Sequence, residues 1–583
     1  MNKTLILFLF LLSGCMCAVT GQNISQVRGW NILSDSRADD IVTINAACSY
    51  NINHLQLSHD LVMDLRELRD TSRCALVKDL IKKAHDAGIN EVVIWDHALY
   101  DLRYYPEKFR TGPEGTINLD DPEFHEWLKQ DYRQMMALVP EADGIVLTFI
   151  ETGARAENQY SEKLTSPSEK LAFIVDAVAD VICGELGKRL FIRTFAYTAN
   201  EYRNLIECIG LINNRNIILM MKETPHDFFL THPNDSYAGS IDRPTIIEFD
   251  CGNEFNGQGI IANTWPEYIL RRASDLLKRP NVIGYVARTD RYRDTRVVGT
   301  PNEINLYALK RFTEAGITDA GKIYKEFISA EYGKKSLPFL KPAFSRAFEI
   351  VSSSLYTLGT NVANHSKLDY DPYKSSYARH VSGKWIDPPV VYVGHNVNRK
   401  FHYWKDVIEH IAPARYKLPD EAISTEAPWV MEKGWVTPAE KMNEEYLRYI
   451  IAEKNYSTKN ARRAYELVLK AEKVLDPDDF NQIKNLFYRT LLTAEIYEAV
   501  ATAYYGFRIW ARGEDFHTDW LKNTINNALK DMLIVAGEID AYREKVPRGQ
   551  WNWRGDAATA REYFEKIAVK GWKEYNYTVF KQF

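Results

Sequence analysis

Residues 144–195 read GIVLTFIETGARAENQYSEKLTSPSEKLAFIVDAVADVICGELGKRLFIRTF. Two apolar runs, 144–150 and 190–195, flank an amphipathic helical segment at 169–184. Strands that are apolar at successive residues are buried on both faces, and a strand–helix–strand repeat sets its strands parallel. The same unit recurs in both directions. Strand candidates stand at 29–33, 53–57 and 91–95 before it and at 217–221, 245–249 and 282–286 after it; helical segments stand at 75–87, 124–138 and 267–277. Eight strands in this rhythm predict an α/β fold closed into a (β/α)8 TIM barrel. No G-x-G-x-x-G follows the first strand, which argues against a dinucleotide-binding sheet.

The chain has 583 residues, enough for two or three domains. Hydrophobic residues make up 45% and charged residues 26%, the balance of a soluble globular protein, and a formal charge of −5 speaks against nucleic acid as a partner. Residues 1–22 read as an export signal, with Lys3 ahead of an apolar run, 5–12, that is too short to span a bilayer. Leu12-Ser13-Gly14-Cys15 resembles a bacterial lipobox, so Cys15 is expected to carry lipid and attach the chain to a membrane; ordinary cleavage near 18–21 is the alternative. The expected destination is the periplasm, the outer membrane or the medium. The barrel is assigned to 28–325. From 326 to 583 long amphipathic segments (341–358, 445–453, 461–474, 478–504, 520–546) and a proline-bearing loop at 361–435 predict an α-helical C-terminal region. Beyond the signal, Cys48, Cys74, Cys183, Cys208 and Cys251 show no C-x-x-C or Cys/His spacing, so neither a metal nor a disulfide framework is expected.

In a (β/α)8 enzyme the chemistry lies where strands end and loops begin. Strand four runs into Glu151, strand five ends at Arg193, strand six leads to Lys222 and Asp227, and strand seven leads to Glu254. Glycosidic cleavage uses such a set: one carboxyl protonates the leaving oxygen while another activates water or attacks the sugar. Acidic residues in these loops also cap helices, so spacing alone leaves the function open. An unbroken apolar run hides whether Glu248, inside strand seven, faces into the barrel. His97, after strand three, is a candidate for lining the pocket or for a structural role. The basic run Arg288, Arg291, Arg293 and Arg296 reads as a solvated loop face or as a subsite for an anionic glycan. Trp551 and Trp553 read as packing anchors or as a sugar platform.

Several blocks, in order, resemble the microbial α-glucuronidases, glycoside hydrolase family 67. They are Ser72-Arg73 with 87–93, Asp121-Pro122-Glu123 with Trp127 and 138–140, Lys222 with Pro225 and Asp227-Phe228, Glu254-Phe255-Asn256-Gly257-Gln258, and Asn305-Leu306-Tyr307. The resemblance spans residues 28–360. It implies removal of an α-linked uronic acid, glucuronic acid first, from an oligosaccharide or polysaccharide, with inversion at the anomeric carbon and no cofactor. It also implies Glu151 as the general acid, Asp227 and Glu254 as candidate bases, and Arg193 and Lys222 as the grip on the uronate carboxylate, a task suited to guanidinium and ammonium groups. Arg288 and His97 join them as substrate-binding candidates.

The chain departs from the family in five places, the C-terminal region among them. Leu147 stands where the family has a lysine, and Thr152-Gly153-Ala154-Arg155 replaces a Gly-Gln-Pro run. The strand-eight exit is strongly basic, and strand one follows the signal at once, so the family's leading β-sandwich is expected to be missing. These differences bear on the sugar more than on the reaction. The alternatives are an α-galacturonidase or other exo-glycosidase on an anionic glycan, and a non-catalytic glycan-binding lipoprotein. Keeping three carboxylates argues against a mere binder.

Overall fold

The computed structural model of the protein describes residues 25–196, 199–225, 227–230, 234–357, 360–361, 368, 443–546 and 556–569. The export signal with Cys15, most of the 361–435 loop, and Trp551 and Trp553 lie outside the described residues.

Eight parallel strands close a barrel in sequence order: β1 Val27–Ile32, β2 His54–Leu57, β3 Glu91–His97, β4 Gly144–Thr148, β5 Arg189–Arg193, β6 Ile217–Lys222, β7 Thr245–Phe249 and β8 Val282–Arg288. The last strand pairs with the first, Arg288 standing opposite Asn31. Every strand expected from the sequence is present, with its ends moved by a few residues. Helices α1 Arg37–Ala47, α2 Thr71–Asp86, α3 Pro122–Leu138, α4 Pro167–Ala179 and α5 Ala199–Leu211 follow β1 to β5 in turn; α6 Pro266–Leu276 follows β7 and α7 Ile304–Ala315 follows β8. Among the described residues no helix links β6 to β7. Local chemistry sets the helix starts. Asp70 accepts from the amides of Ser72 and Arg73 at the head of α2, and Ser166 with Glu169 forms a capping box on α4, so orphan amide donors are satisfied.

Apolar side chains form two clusters. One lies between strands and helices and takes in Leu147, an outward-facing core residue. The other fills the barrel with Val27, Val93, Trp95, Val146, Phe191, Ile218, Met220, Ile246 and Val286.

The C-terminal part is helical: α8 Ala320–Glu331, α9 Leu337–Phe344, α10 Ala347–Ser354, α11 Glu444–Lys470, α12 Pro477–Trp510, α13 Asp519–Lys545 and α14 Asp556–Phe564. Two expectations change in detail. The segment 341–358 becomes parts of two short helices and a strand, Tyr356–Thr357, paired with Thr360–Asn361. The segments 445–453 and 461–474 are largely one helix, α11, because the polar stretch between them is not a loop. Lys454, Ser457 and Thr458 are buried there, and Lys454 Nζ donates to the carbonyls of Ser353 (2.9 Å), Ser354 (3.1 Å) and Tyr356. The helical region grips the loop after β7: Arg489 Nε donates to the carbonyl of Ile260 at 2.6 Å, and the amide of Ala262 donates to Thr490 Oγ1 at 2.9 Å.

Candidate active site

Side chains alternate across each strand, so inward positions recur every second residue. The apolar filling Trp95, Val146, Phe191, Met220, Ile246 and Val286 is followed two residues on, in the same phase, by His97, Thr148, Arg193, Lys222, Glu248 and Arg288. The barrel is therefore filled mainly by apolar side chains, with His54 and Gln56 of β2 bonded to each other among them, and is topped by a polar layer in which each of these six residues is at most 4% exposed.

Glu248 is the hub of that layer. Its Oε2 accepts from Arg193 Nε at 2.8 Å, and its Oε1 accepts from Arg288 Nε at 2.8 Å and Arg193 Nη2 at 3.4 Å. Arg288 also donates to Glu254 Oε2, whose Oε1 accepts from Arg291 Nε at 2.9 Å. Charge thus alternates from Arg193 through Glu248, Arg288 and Glu254 to Arg291. Beside this chain, Lys222 Nζ donates to Asp227 Oδ1 at 2.6 Å. Aromatic faces carry the cations: Arg193 lies 4.7 Å from the Trp95 centroid, Lys222 3.7 Å from Phe195 and 4.3 Å from Phe228, and Arg288 4.7 Å from Phe228.

Burial acts on each ionisable group, and its neighbours decide the outcome. Burial pushes the Glu248 carboxyl up, but Arg193, Arg288 and Lys222 together outweigh it and hold the group at about 2. Burial lowers the Lys222 ammonium, against the pull of Asp227. Asp250, at the end of β7, accepts from the amide of Glu254 at 2.7 Å and leaves Oδ1 buried without a partner. Burial raises it to about 7 despite Arg288 nearby. Two histidines face the mouth uncharged, since burial depresses both, and Arg288 and Arg291 add to the effect at His59. His97 Nδ1 donates to the carbonyl of Met63 at 2.6 Å. A carbonyl only accepts, so the proton sits on Nδ1, and Nε2, buried and unpartnered, presents a lone pair.

The layer and the loops after β6 to β8 therefore bring together Arg193, Lys222, Arg288, Asp227 and Glu254. Both cations expected to grip a uronate are already ion-paired, Arg193 with Glu248 and Lys222 with Asp227. Glu151 stands apart. It is exposed, three residues beyond β4, makes no hydrogen bond or ion pair among the described residues, and adopts φ 64°. Its charge reaches His97. The arginine run divides: Arg288 and Arg291 serve the network, while Arg293 pairs with Asp35 and Arg296 with Asp39 on the outer loops. Sequence reasoning left out Asp250 and His59 and left open which way Glu248 faces. Counting in twos from Ile246 would have turned Glu248 inward, had the phase been visible.

No family model matches the sequence, and no curated protein matches it. Solved structures do match. A GH138 enzyme targeting pectin rhamnogalacturonan II superimposes with a TM-score of 0.54 at 10% identity, over 94% of this chain and 69% of that one. A family GH115 4-O-methyl-alpha-glucuronidase with specificity for decorated arabinogalactans gives 0.48 at 11% identity, over 93% and 62%. A mutant of the Thermobaculum terrenum O-GlcNAc hydrolase gives 0.43 at 12% identity, over 94% and 98%. The likeness to the GH138 enzyme lies in the fold, a (β/α)8 barrel with a helical region after it.

Two consequences are measurable by urea denaturation. Glu248→Gln leaves two buried guanidinium groups short of their counter-charge and should cost about 3–5 kcal/mol of stability. The parent's Glu248 contribution is full above the ordinary glutamate value and is lost as pH falls toward about 2. Asp250 has the opposite sign. Its folded value, about 7, lies above the 3.8 of a free aspartate, so folding must hold on to a proton and stability declines between those limits as pH rises. Asp250→Asn should remove that decline, gaining about 1–4 kcal/mol on the parent between pH 4 and pH 8.

Proposed function

We propose that the protein is an inverting glycoside hydrolase that removes an α-linked uronic acid, glucuronic acid first, from an anionic oligosaccharide or polysaccharide. One observation carries this reading. The hydrogen-bonded chain and the Lys222–Asp227 pair beside it hold four cations, Arg193, Lys222, Arg288 and Arg291, against three carboxylates, Asp227, Glu248 and Glu254. These groups leave one positive charge over at a buried barrel mouth, which Asp250, held at about 7, offsets only in part near neutral pH, and the chain from Arg193 to Arg291 ends on a cation at each end. A sugar carboxylate supplies a matching anion, and two-point binding by guanidinium gives it orientation. The shared fold with a GH138 enzyme that targets a pectin supports a glycan substrate.

In this mechanism Glu151 protonates the leaving oxygen. Its exposure suits a group that must meet the aglycone, and its left-handed backbone costs about 1–2 kcal/mol, strain of a kind that gathers at functional sites. Asp227 or Glu254 draws the proton from the attacking water on the opposite face, each oriented by its own cation. His97 Nε2 accepts from a sugar hydroxyl. The chain is proposed to be exported by its leader and attached to a membrane through Cys15.

The deciding experiment follows hydrolysis of aldobiouronic acids by NMR. The first-formed uronic acid should be the β anomer. A first-formed α anomer, or an ester trapped on Asp227 or Glu254, would place the chain among retaining enzymes. Cleavage of the galacturono-compound alone would change the sugar and leave the reaction standing. Glu151→Gln should lower kcat on the aldobiouronic acid by about 10²–10⁴-fold and spare the α-glucuronosyl fluoride, whose leaving group needs no proton. Arg193→Met and Lys222→Met should each lower the ratio of kcat/KM for uronoside over neutral glucoside; a ratio unchanged in both would assign these cations to the barrel alone.

A further inference from the structure

Tyr356 lies outside the barrel, directly after α10, and is fully buried. Its hydroxyl reaches both loops that bear the candidate bases. The amide of Leu230, three residues after Asp227, donates to it at 2.9 Å, and it donates to Asn256 Oδ1, two residues after Glu254, at 2.8 Å. The direction of every proton follows from two backbone groups. A backbone N–H only donates, so the Tyr356 oxygen accepts from Leu230; the Phe228 carbonyl only accepts, so Asn256 turns Nδ2 toward it and Oδ1 toward the tyrosine, whose hydrogen goes to that oxygen. The Asn256 Nδ2 to Phe228 carbonyl distance is 3.0 Å. A closed ring of three hydrogen bonds thus ties the residues following Asp227 to those following Glu254, and the Phe229 and Phe255 rings meet at 53° with centroids 4.6 Å apart. Burial raises the Tyr356 hydroxyl well above its ordinary value, so it stays a donor throughout the working pH range.

The ring is anchored from the helical region. Lys454, fully buried on α11, donates to the carbonyls of Ser353, Ser354 and Tyr356 itself, closing the C-terminal end of α10 and fixing the point from which the tyrosine projects. Glu453 stands beside the ammonium at 3.1 Å. A cation buried here, against burial that lowers its charge state, is an expensive way to end a helix unless the position of the next residue matters.

We infer that Tyr356 is a positioning residue for the two candidate bases: with Lys454 behind it, the helical region sets the spacing of the Asp227 and Glu254 loops across the attacking water. This rests on the proposed hydrolase reading. Tyr356→Phe keeps the ring and removes only the clasp. On an aldobiouronic acid and on α-glucuronosyl fluoride alike it should lower kcat about 10–100-fold, since displacement by about an ångström costs that much, with KM moved less than about threefold. Equal loss on the two substrates separates it from Glu151→Gln, because water must be aligned whatever the leaving group. Lys454→Met, tested in parallel, should give the same pattern in weaker form. Hydrogen exchange of the full chain reads the clasp without any substrate: amides of 227–230 and 253–258 should exchange faster in Tyr356→Phe while those of β1 to β8 do not. If the parent cleaves no uronoside, the functional reading fails and exchange alone judges the clasp. Unchanged exchange in both loops, or a kcat within about twofold of the parent, overturns the inference.

Discussion

A carboxylate held between two guanidinium groups, Glu248 between Arg193 and Arg288, is the constraint on which the mouth of this barrel depends. Each member is close to fully buried, directly above a filling made mostly of valine, isoleucine, methionine and aromatic side chains, in which Gln56 is the hydrogen-bonding partner of Trp95 and Met220. Charges so placed lose their hydration and persist only if paired and hydrogen-bonded. Pairing fixes more than energy. Because the three residues come from β5, β7 and β8, their bonds lock the rotation of three strand ends against one another, and the outer faces of both arginines become defined surfaces for whatever approaches next.

From that layer the order passes outward by alternation of sign. Arg288 hands one guanidinium nitrogen to Glu248 and another to Glu254, and Glu254 is closed by Arg291. Lys222, clasped between two phenyl faces, does the same for Asp227. The candidate bases are therefore held by residues of the strand layer, while Glu151 is exposed and has no hydrogen-bond or ion-pair partner among the described residues. Such asymmetry suits an acid that adapts to a variable leaving group facing a water site that must be rigid.

The helical region completes the rigidity from behind. It touches the β7 loop through Arg489 and Thr490 and joins the β6 and β7 loops through Tyr356. These contacts link residues some hundred to two hundred positions apart in the chain.

The eight-strand rhythm and the helices between the strands were legible in the sequence because both depend on hydrophobic period, a property of neighbouring residues. So was the placing of Arg193, Lys222, Asp227 and Glu254 at strand ends, once the barrel was granted, whereas Glu151, which also follows a strand, stands apart from them. The run Thr245–Phe249 is apolar on both faces of the sheet, so period two carries no phase and Glu248 could not be told from an outward residue. Lys454 looked like part of a polar break for the same kind of reason: a lysine among asparagine, serine and threonine reads as solvent-facing until a second helix brings three carbonyls to it. The sequence by itself determined the repeat, and with it which strand ends share one rim. Only tertiary structure decided which charges meet, because ion pairing depends on distances across a closed barrel and between loops far apart in the chain, and no local pattern encodes those.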